Sequence, residues 1–143
     1  MLTELYPKLK DRWPIRKSID KINSLVGAPV DRWSQDPEIE LSRSEYIPKL
    51  LGLYGREDLD EDDNFYVMSF LFACFEGAAH EGLNIDEQWQ EAVIMLQQNV
   101  NLHAYTLAYW SCYDAGDPND PDQMFPITEK VRGIWDLYSE NYV

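Results

Sequence analysis

The apolar segment from Phe65 to Phe75, interrupted only by Ser69, is the sequence feature that most constrains the fold. Carboxylates precede the segment, and His80 and Gly82 follow it, which is the order typical of a helix and its dipole. Because the segment is apolar almost all round, we expect it to form the most buried helix of the protein. A strand over residues 65–75 is the alternative, since periodicity alone does not separate the two in short apolar runs.

Amphipathic patterns on both sides of this segment predict further helices. Apolar residues recur at helical spacing over residues 15–26, 44–54, 84–100, 102–113 and 127–138. Gly27 and Pro29 are expected to end the first of these helices, and Asn84 with Glu87 resembles a capping box. The sequence therefore predicts an all-α fold with five to seven helices around a buried central helix. An α+β fold with a small sheet is the alternative.

The length of 143 residues favours a single domain that spans residues 1–143. With 45% hydrophobic and 13% aromatic residues, the chain has enough apolar material for a packed core and should fold alone. Its longest apolar run is well short of the roughly 20 residues that cross a bilayer, so we expect no membrane span.

The N-terminal residues and the two cysteines indicate a cytoplasmic protein. Residues 1–8 lack the basic end and the apolar run of a secretory signal, so we expect no export. Cys74 and Cys112 both lie in apolar segments and form no close-spaced motif. This pattern fits buried, reduced thiols better than a disulfide framework.

The charge distribution is strongly asymmetric. Residues 57–129 contain 16 carboxylates and no Lys or Arg, and the whole chain has a net charge of −14. Nucleic acid is not expected to bind directly, because phosphate binding depends on Lys and Arg. A magnitude of 14 also exceeds the roughly 2 to 8 that suits a small domain. The surplus serves either solubility or the docking of a cationic protein.

Catalytic and cofactor motifs are absent from the sequence, so we expect no enzyme activity and no cofactor. The seven glycines form no phosphate-binding loop, and neither Cys nor any Ser lies in a nucleophile signature. The weak alternative for a metal is Glu76 with His80, four residues apart, although the ferritin-like spacing is three. An EF-hand starting at Asp58 fails, because Asp63 and Ser69 occupy its Gly and Glu positions.

The sequence therefore favours an acidic protein-binding module that binds a basic protein stoichiometrically. In size, acidity, aromatic content and lack of catalytic motifs, the chain resembles small bacterial immunity proteins and antitoxins, which implies an inhibitor. The alternatives are a small metal-dependent hydrolase that uses carboxylates and His80, and a homo-oligomeric structural protein. The sequence does not indicate the oligomeric state. The expected partner contacts combine carboxylates with aromatic anchors: Asp58, Asp60, Glu61, Asp62, Asp63, Tyr66, Trp110, Tyr113, Asp114, Asp117, Asp120 and Asp122.

Overall fold

The computed structural model of the protein describes residues 2–29 and 36–143. These residues form eight α-helices and three short 3₁₀ helices, with no strand among them. The α-helices are α1 (Leu2–Leu5), α2 (Arg16–Val26), α3 (Pro37–Glu40), α4 (Ile47–Leu53), α5 (Glu61–His80), α6 (Asp86–Gln98), α7 (Val100–Ser111) and α8 (Thr128–Tyr138). The 3₁₀ helices are Ser44–Tyr46, Pro121–Gln123 and Ser139–Tyr142.

The all-α prediction is confirmed for the described residues, and the alternatives with a strand or sheet are wrong there. Residues 65–75 lie inside α5, the longest helix. Six of the eight helices have at least seven residues, and these agree with the predicted five to seven. The two four-residue helices, α1 and α3, have no amphipathic repeat long enough to be predicted.

The chain divides into two compact units. The larger unit comprises Trp13–Met95, and the smaller unit comprises Met1–Arg12 and Leu96–Val143. The division falls inside α6, so this helix contributes residues to both units. A single domain spanning residues 1–143 therefore stays a prediction.

In the larger unit, α5 is the buried central helix, as predicted. Helices α2, α3 and α4 all pack against it. Every residue from Phe65 to Phe75 is buried. The rings of Phe72 and Phe75 lie 5.5 and 5.6 Å from the ring of Trp89 in α6. Burying one large apolar side chain stabilises a fold by roughly 1.5 to 3 kcal/mol, so this helix supplies much of the unit's core.

The start of α5 is fixed by a capping box. The backbone N–H of Asp63 donates to the Asp60 carboxylate at 2.8 Å, and the backbone N–H of Asp60 donates to the Asp63 carboxylate at 3.1 Å. The N-cap is Asp60, and Glu61, Asp62 and Asp63 are the acidic residues of the first turn. The Asp60 and Asp63 carboxylates thereby satisfy amide groups that the first turn of a helix leaves unpaired.

In the smaller unit, α7 packs against α8. The ring of Trp135 lies 5.3 Å from Tyr6 and 5.4 Å from Tyr142. Helix α7 ends at Ser111, two residues before the predicted end, because Cys112 adopts a left-handed conformation with φ of 58°. The chain then leaves α7 as a loop that carries Asp114, Asp117, Asp120 and Asp122.

Candidate protein-binding site

The first acidic cluster, residues 58–63, is largely paired with cations inside the larger unit. Arg56 donates from Nε and Nη2 to the two carboxylate oxygens of Asp58, at 2.9 and 2.7 Å. Lys17 of α2 forms an ion pair with Asp60. The hydrogen bond from Arg56 holds the pKa of Asp58 below its usual range, and the bond from Lys17 does the same to the pKa of Asp60.

Asp63 is the most constrained carboxylate of this cluster, because its side chain is fully buried. The hydroxyl of Ser18 donates to its Oδ1 at 2.7 Å, and the ammonium of Lys21 donates to its Oδ2 at 2.9 Å. Burial raises the pKa of Asp63, but the hydrogen bonds from Lys21, Ser18 and the Asp60 backbone outweigh burial and leave that pKa below its ordinary value. Asp63 therefore joins α2 to the start of α5.

Two predicted partner contacts in this cluster need correction. Tyr66 is fully buried, and its hydroxyl donates to the side-chain carbonyl of Asn23 at 2.9 Å. Asp63 is equally inaccessible, so neither side chain can touch a partner unless the larger unit opens. Glu61 is exposed and Asp62 is half-buried, and these two retain surface that a partner could reach.

The second acidic cluster lies on the loop between α7 and α8. Asp114, Asp117 and Asp122 are exposed, and Asp120 is half-buried. Within the described residues, none of these four carboxylates forms an ion pair. This loop therefore presents four carboxylates that no described side chain pairs with directly.

Hydrogen bonds within the loop fix its conformation. The Asp117 carboxylate accepts from the Asn119 backbone at 3.0 Å, and the Asp120 carboxylate accepts from the Asp122 backbone at 3.0 Å. The side chain of Gln123 connects the two turns, since it accepts from the Asp117 backbone at 3.0 Å and donates to the Asp120 carboxylate at 3.2 Å. Asp favours such turns because its side chain can accept a hydrogen bond from the backbone two residues later.

The side chain of Arg132 in α8 anchors the loop by donating to backbone carbonyl groups. Its Nε donates to the Ser111 carbonyl at 2.7 Å, and its Nη2 donates to the Pro118 carbonyl at 2.8 Å. The guanidinium also lies 4.2 Å from the centre of the Tyr113 ring, and the Tyr113 hydroxyl donates to Asp136 at 2.7 Å. Because Arg132 directs these donors to carbonyl groups, it orders the loop without forming an ion pair with the loop carboxylates.

An exposed aromatic pair lies where the two ends of this loop meet. Tyr109 is 42% exposed and Phe125 is 36% exposed, and their rings stack with centroids 6.2 Å apart and an interplanar angle of 27°. The predicted anchor Trp110 is only 6% exposed and lies 4.6 Å from Phe125, so it supports the pair from below. The predicted anchor Tyr113 is half-buried; its ring contacts the Arg132 guanidinium, and its hydroxyl donates to Asp136.

We call this combination the acidic-aromatic surface: Tyr109, Asp114, Asp117, Asp120, Asp122 and Phe125. Sequence reasoning identified its carboxylates but not Tyr109 or Phe125 as exposed anchors. Tyr109 belongs to a run of tyrosines at steps of four, a spacing that indicates core. The available signal for Phe125 was its place beside Pro126 at the end of the loop.

The weak metal alternative, Glu76 with His80, is a side-chain contact between residues four apart along α5. The His80 Nε2 lies 3.2 Å from a Glu76 carboxylate oxygen, and His80 is 70% exposed. Across residues 2–29 and 36–143, no three His, Cys, Asp or Glu side chains are grouped so that they could hold a metal ion.

Comparison of the chain with protein-family models, with curated proteins and with solved structures finds no match in any of the three. In the described part of the chain, no helix combines the length and apolar character needed to cross a membrane.

Proposed function

We propose that the protein is an acidic binding module that docks a basic protein stoichiometrically through the acidic-aromatic surface, as an immunity or antitoxin-type inhibitor would. The observation that carries this proposal is the loop from Asp114 to Asp122, which combines four carboxylates lacking ion pairs with the stacked pair Tyr109 and Phe125 at its ends. The proposal includes no enzyme activity.

The charge of this loop supports a cationic partner. A surface of one sign raises the rate of association with an oppositely charged protein by roughly ten to a thousandfold at low salt. Lys and Arg of a partner would approach Asp114 and Asp122, which make no side-chain hydrogen bond within the described residues. Both side chains are therefore available for electrostatic steering and for ion pairs at the rim of an interface.

The aromatic pair supplies the second element of a protein interface. Binding energy concentrates in a few aromatic and Arg side chains that become fully desolvated, while charges at the rim add specificity and rate. Tyr109 and Phe125 already pack on the buried Trp110, so little side-chain entropy remains to be lost when they are covered. We therefore expect these two rings to be the energetic centre of the contact.

The location we propose is the cytoplasm. Cys74 and Cys112 are both buried and free, which suits a reducing compartment. Burial also raises the pKa of the Cys74 thiol to about 12, so this thiol stays protonated and inert.

The first test is to recover the protein from an extract of its own cells and to record native mass spectra at low and high salt. The proposal predicts a one-to-one complex with a basic protein that dissociates as salt increases. A protein that carries a stoichiometric metal ion instead would favour the hydrolase alternative, and one that binds only copies of itself would favour the structural alternative. Either result would contradict the proposal.

A further inference from the structure

A cleft in the smaller unit has a lining whose charge is opposite to that of the protein as a whole. The cleft has a volume of about 330 Å³ and is lined by Lys8, Leu9, Lys10, Asn101, Ala104 and Tyr142. No carboxylate is among these residues, although the chain has 26 Asp and Glu against 12 Lys and Arg. Its size falls within the roughly 300 to 1,000 Å³ of small-molecule sites.

The nitrogen groups of the cleft are all hydrogen-bond donors. Lys8 and Lys10 are exposed, and neither ammonium forms an ion pair with any described residue. The hydroxyl of Tyr142 donates to the side-chain oxygen of Asn101. This bond orients the amide so that its NH₂ group remains as a third donor.

The backbone around the cleft is held in place before any ligand binds. The backbone N–H of Lys8 donates to the carbonyl of Tyr142 at 3.0 Å, and the backbone N–H of Leu9 donates to the carbonyl of Tyr6 at 3.0 Å. The rings of Tyr6 and Tyr142 both contact Trp135, which is fully buried. Because these contacts fix both sides of the cleft, a ligand would have little backbone to order.

We propose that this cleft is a binding site for a small molecule that carries an oxyanion, either phosphate or carboxylate, on a small apolar body. The two ammonium groups and the Asn101 amide would bind the oxyanion through charge-assisted hydrogen bonds. The buried side chains of Leu9 and Ala104 would contact the apolar body. Asp11 and Glu140 lie close in sequence to lining residues and oppose an anion, whereas carboxylates farther than about 8 Å are screened at physiological ionic strength.

The test is a titration of the ¹⁵N-labelled full chain, followed by amide NMR, with phenyl phosphate, benzoate, inorganic phosphate and benzylamine. We expect saturable shifts at residues 8–10, 101–104 and 142 with phenyl phosphate, benzoate or both, and none with benzylamine. Stronger binding of phenyl phosphate would identify a phosphate group as the ligand, and stronger binding of benzoate a carboxylate. Inorganic phosphate should bind more weakly than phenyl phosphate, because it lacks the apolar body.

A pair of charge-matched variants completes the test. Lys8→Gln with Lys10→Gln should weaken binding of the preferred probe by about tenfold or more. Arg43→Gln with Lys49→Gln removes the same charge from residues that do not line the cleft, and it should change binding less than twofold or so. The proposal is overturned if neither anion gives saturable shifts, if benzylamine gives equal ones, or if both double variants weaken binding equally.

Discussion

Replacement of Asp63 should destabilise the protein far more than replacement of the exposed Glu61 in the same helical turn. Asp63 is fully buried and accepts hydrogen bonds from Ser18, Lys21 and the Asp60 backbone, at 2.7, 2.9 and 3.1 Å. In Asp63→Ala, the buried hydroxyl and the backbone N–H lose their partners, and the ammonium loses its counter-charge. Each unsatisfied buried group costs about 1 to 3 kcal/mol.

The expected loss in the free energy of unfolding for Asp63→Ala is about 3 kcal/mol, the low end of the roughly 3 to 5 kcal/mol lost when one partner of a fully buried ion pair is removed, because the Lys21 side chain is 38% exposed. Asp63→Asn should lose about 2 to 3 kcal/mol, because the amide oxygen replaces only some of the accepted bonds and the amide NH₂ faces donors. Such losses are large against the roughly 5 to 15 kcal/mol of a typical domain.

The assay is urea denaturation at pH 7, followed by circular dichroism at 222 nm, with Glu61→Gln as the control. Glu61 is exposed and lies in the same first turn of α5, so its loss should cost only the helix-dipole contribution of about 0.3 to 1 kcal/mol. If both Asp63 variants lost no more than Glu61→Gln, the structural role assigned to Asp63 would be refuted.

The same pairing predicts how the Asp63 effect depends on pH. Because the folded protein holds the pKa of Asp63 below its ordinary value, the stabilisation is fully present above the unfolded pKa of about 3.9. It should disappear as the pH falls through the folded pKa. The stability difference between the wild type and Asp63→Asn should therefore be constant from pH 7 to pH 5 and decrease below about pH 4.

Three further predictions concern other parts of the chain. Burial, and secondarily Arg12, lower the pKa of His103 to about 3, so below pH 6.5 the unfolded chain binds a proton that the folded chain does not bind. The free energy of unfolding of the wild type should therefore fall by about 2 to 3 kcal/mol between pH 7 and pH 4.5 through this residue, and His103→Leu should lack this part of the fall. Equal pH dependence of stability in the two proteins would contradict a buried neutral imidazole. Arg132→Lys should lower stability by about 1 to 3 kcal/mol and speed amide exchange in residues 112–123, because one ammonium cannot reproduce the fork that binds Ser111 and Pro118; unchanged exchange would mean that other contacts order the loop. Thermal unfolding should be a single transition with equal calorimetric and van 't Hoff enthalpies if residues 1–143 form one domain, and two transitions would show that the two units unfold separately.

The central helix could be predicted from the sequence because its burial is encoded locally. A segment that is apolar on every side has no solvent-facing stripe, so residues 65–75 had to be internal in any helical fold. The ends of helices were less accessible to this reasoning. Helix α7 stops early because Cys112 adopts a left-handed conformation, which a Cys in the sequence does not predict. At the end of α2 the left-handed residue is Gly27, and a glycine does predict this conformation.

The role of the first acidic cluster could not be predicted because it depends on contacts distant in sequence. Lys17, Ser18 and Lys21 belong to α2, and the carboxylates that they bind lie more than 40 residues later, at Asp60 and Asp63. Only the packing of α2 against α5 brings these groups together. The sequence showed a surplus of negative charge, but the pairing decides which carboxylates remain available, and that pairing favours the loop from Asp114 to Asp122.

The exposed anchors of the acidic-aromatic surface depend on closure of a loop. Tyr109 and Phe125 are 16 positions apart, and their stacking follows from the path that the chain takes between α7 and α8. Aromatic residues at helical spacing are more often core, and Trp110 follows that expectation. Helical periodicity assigns a residue to one side of its helix, but it does not show which rings a neighbouring loop leaves uncovered.

The central claim is tested most directly by the association rate of the recovered basic partner with Asp114→Asn/Asp122→Asn at low salt. These substitutions remove two charges without removing a described side-chain hydrogen bond, and we expect association to slow about three- to tenfold with little change in stability. Glu87→Gln/Glu91→Gln, an exposed pair on α6, removes the same charge and should slow association less than twofold or so. Equal rates for the wild type and the loop variant, or equal slowing by both double variants, would contradict the assignment of this loop as the docking surface.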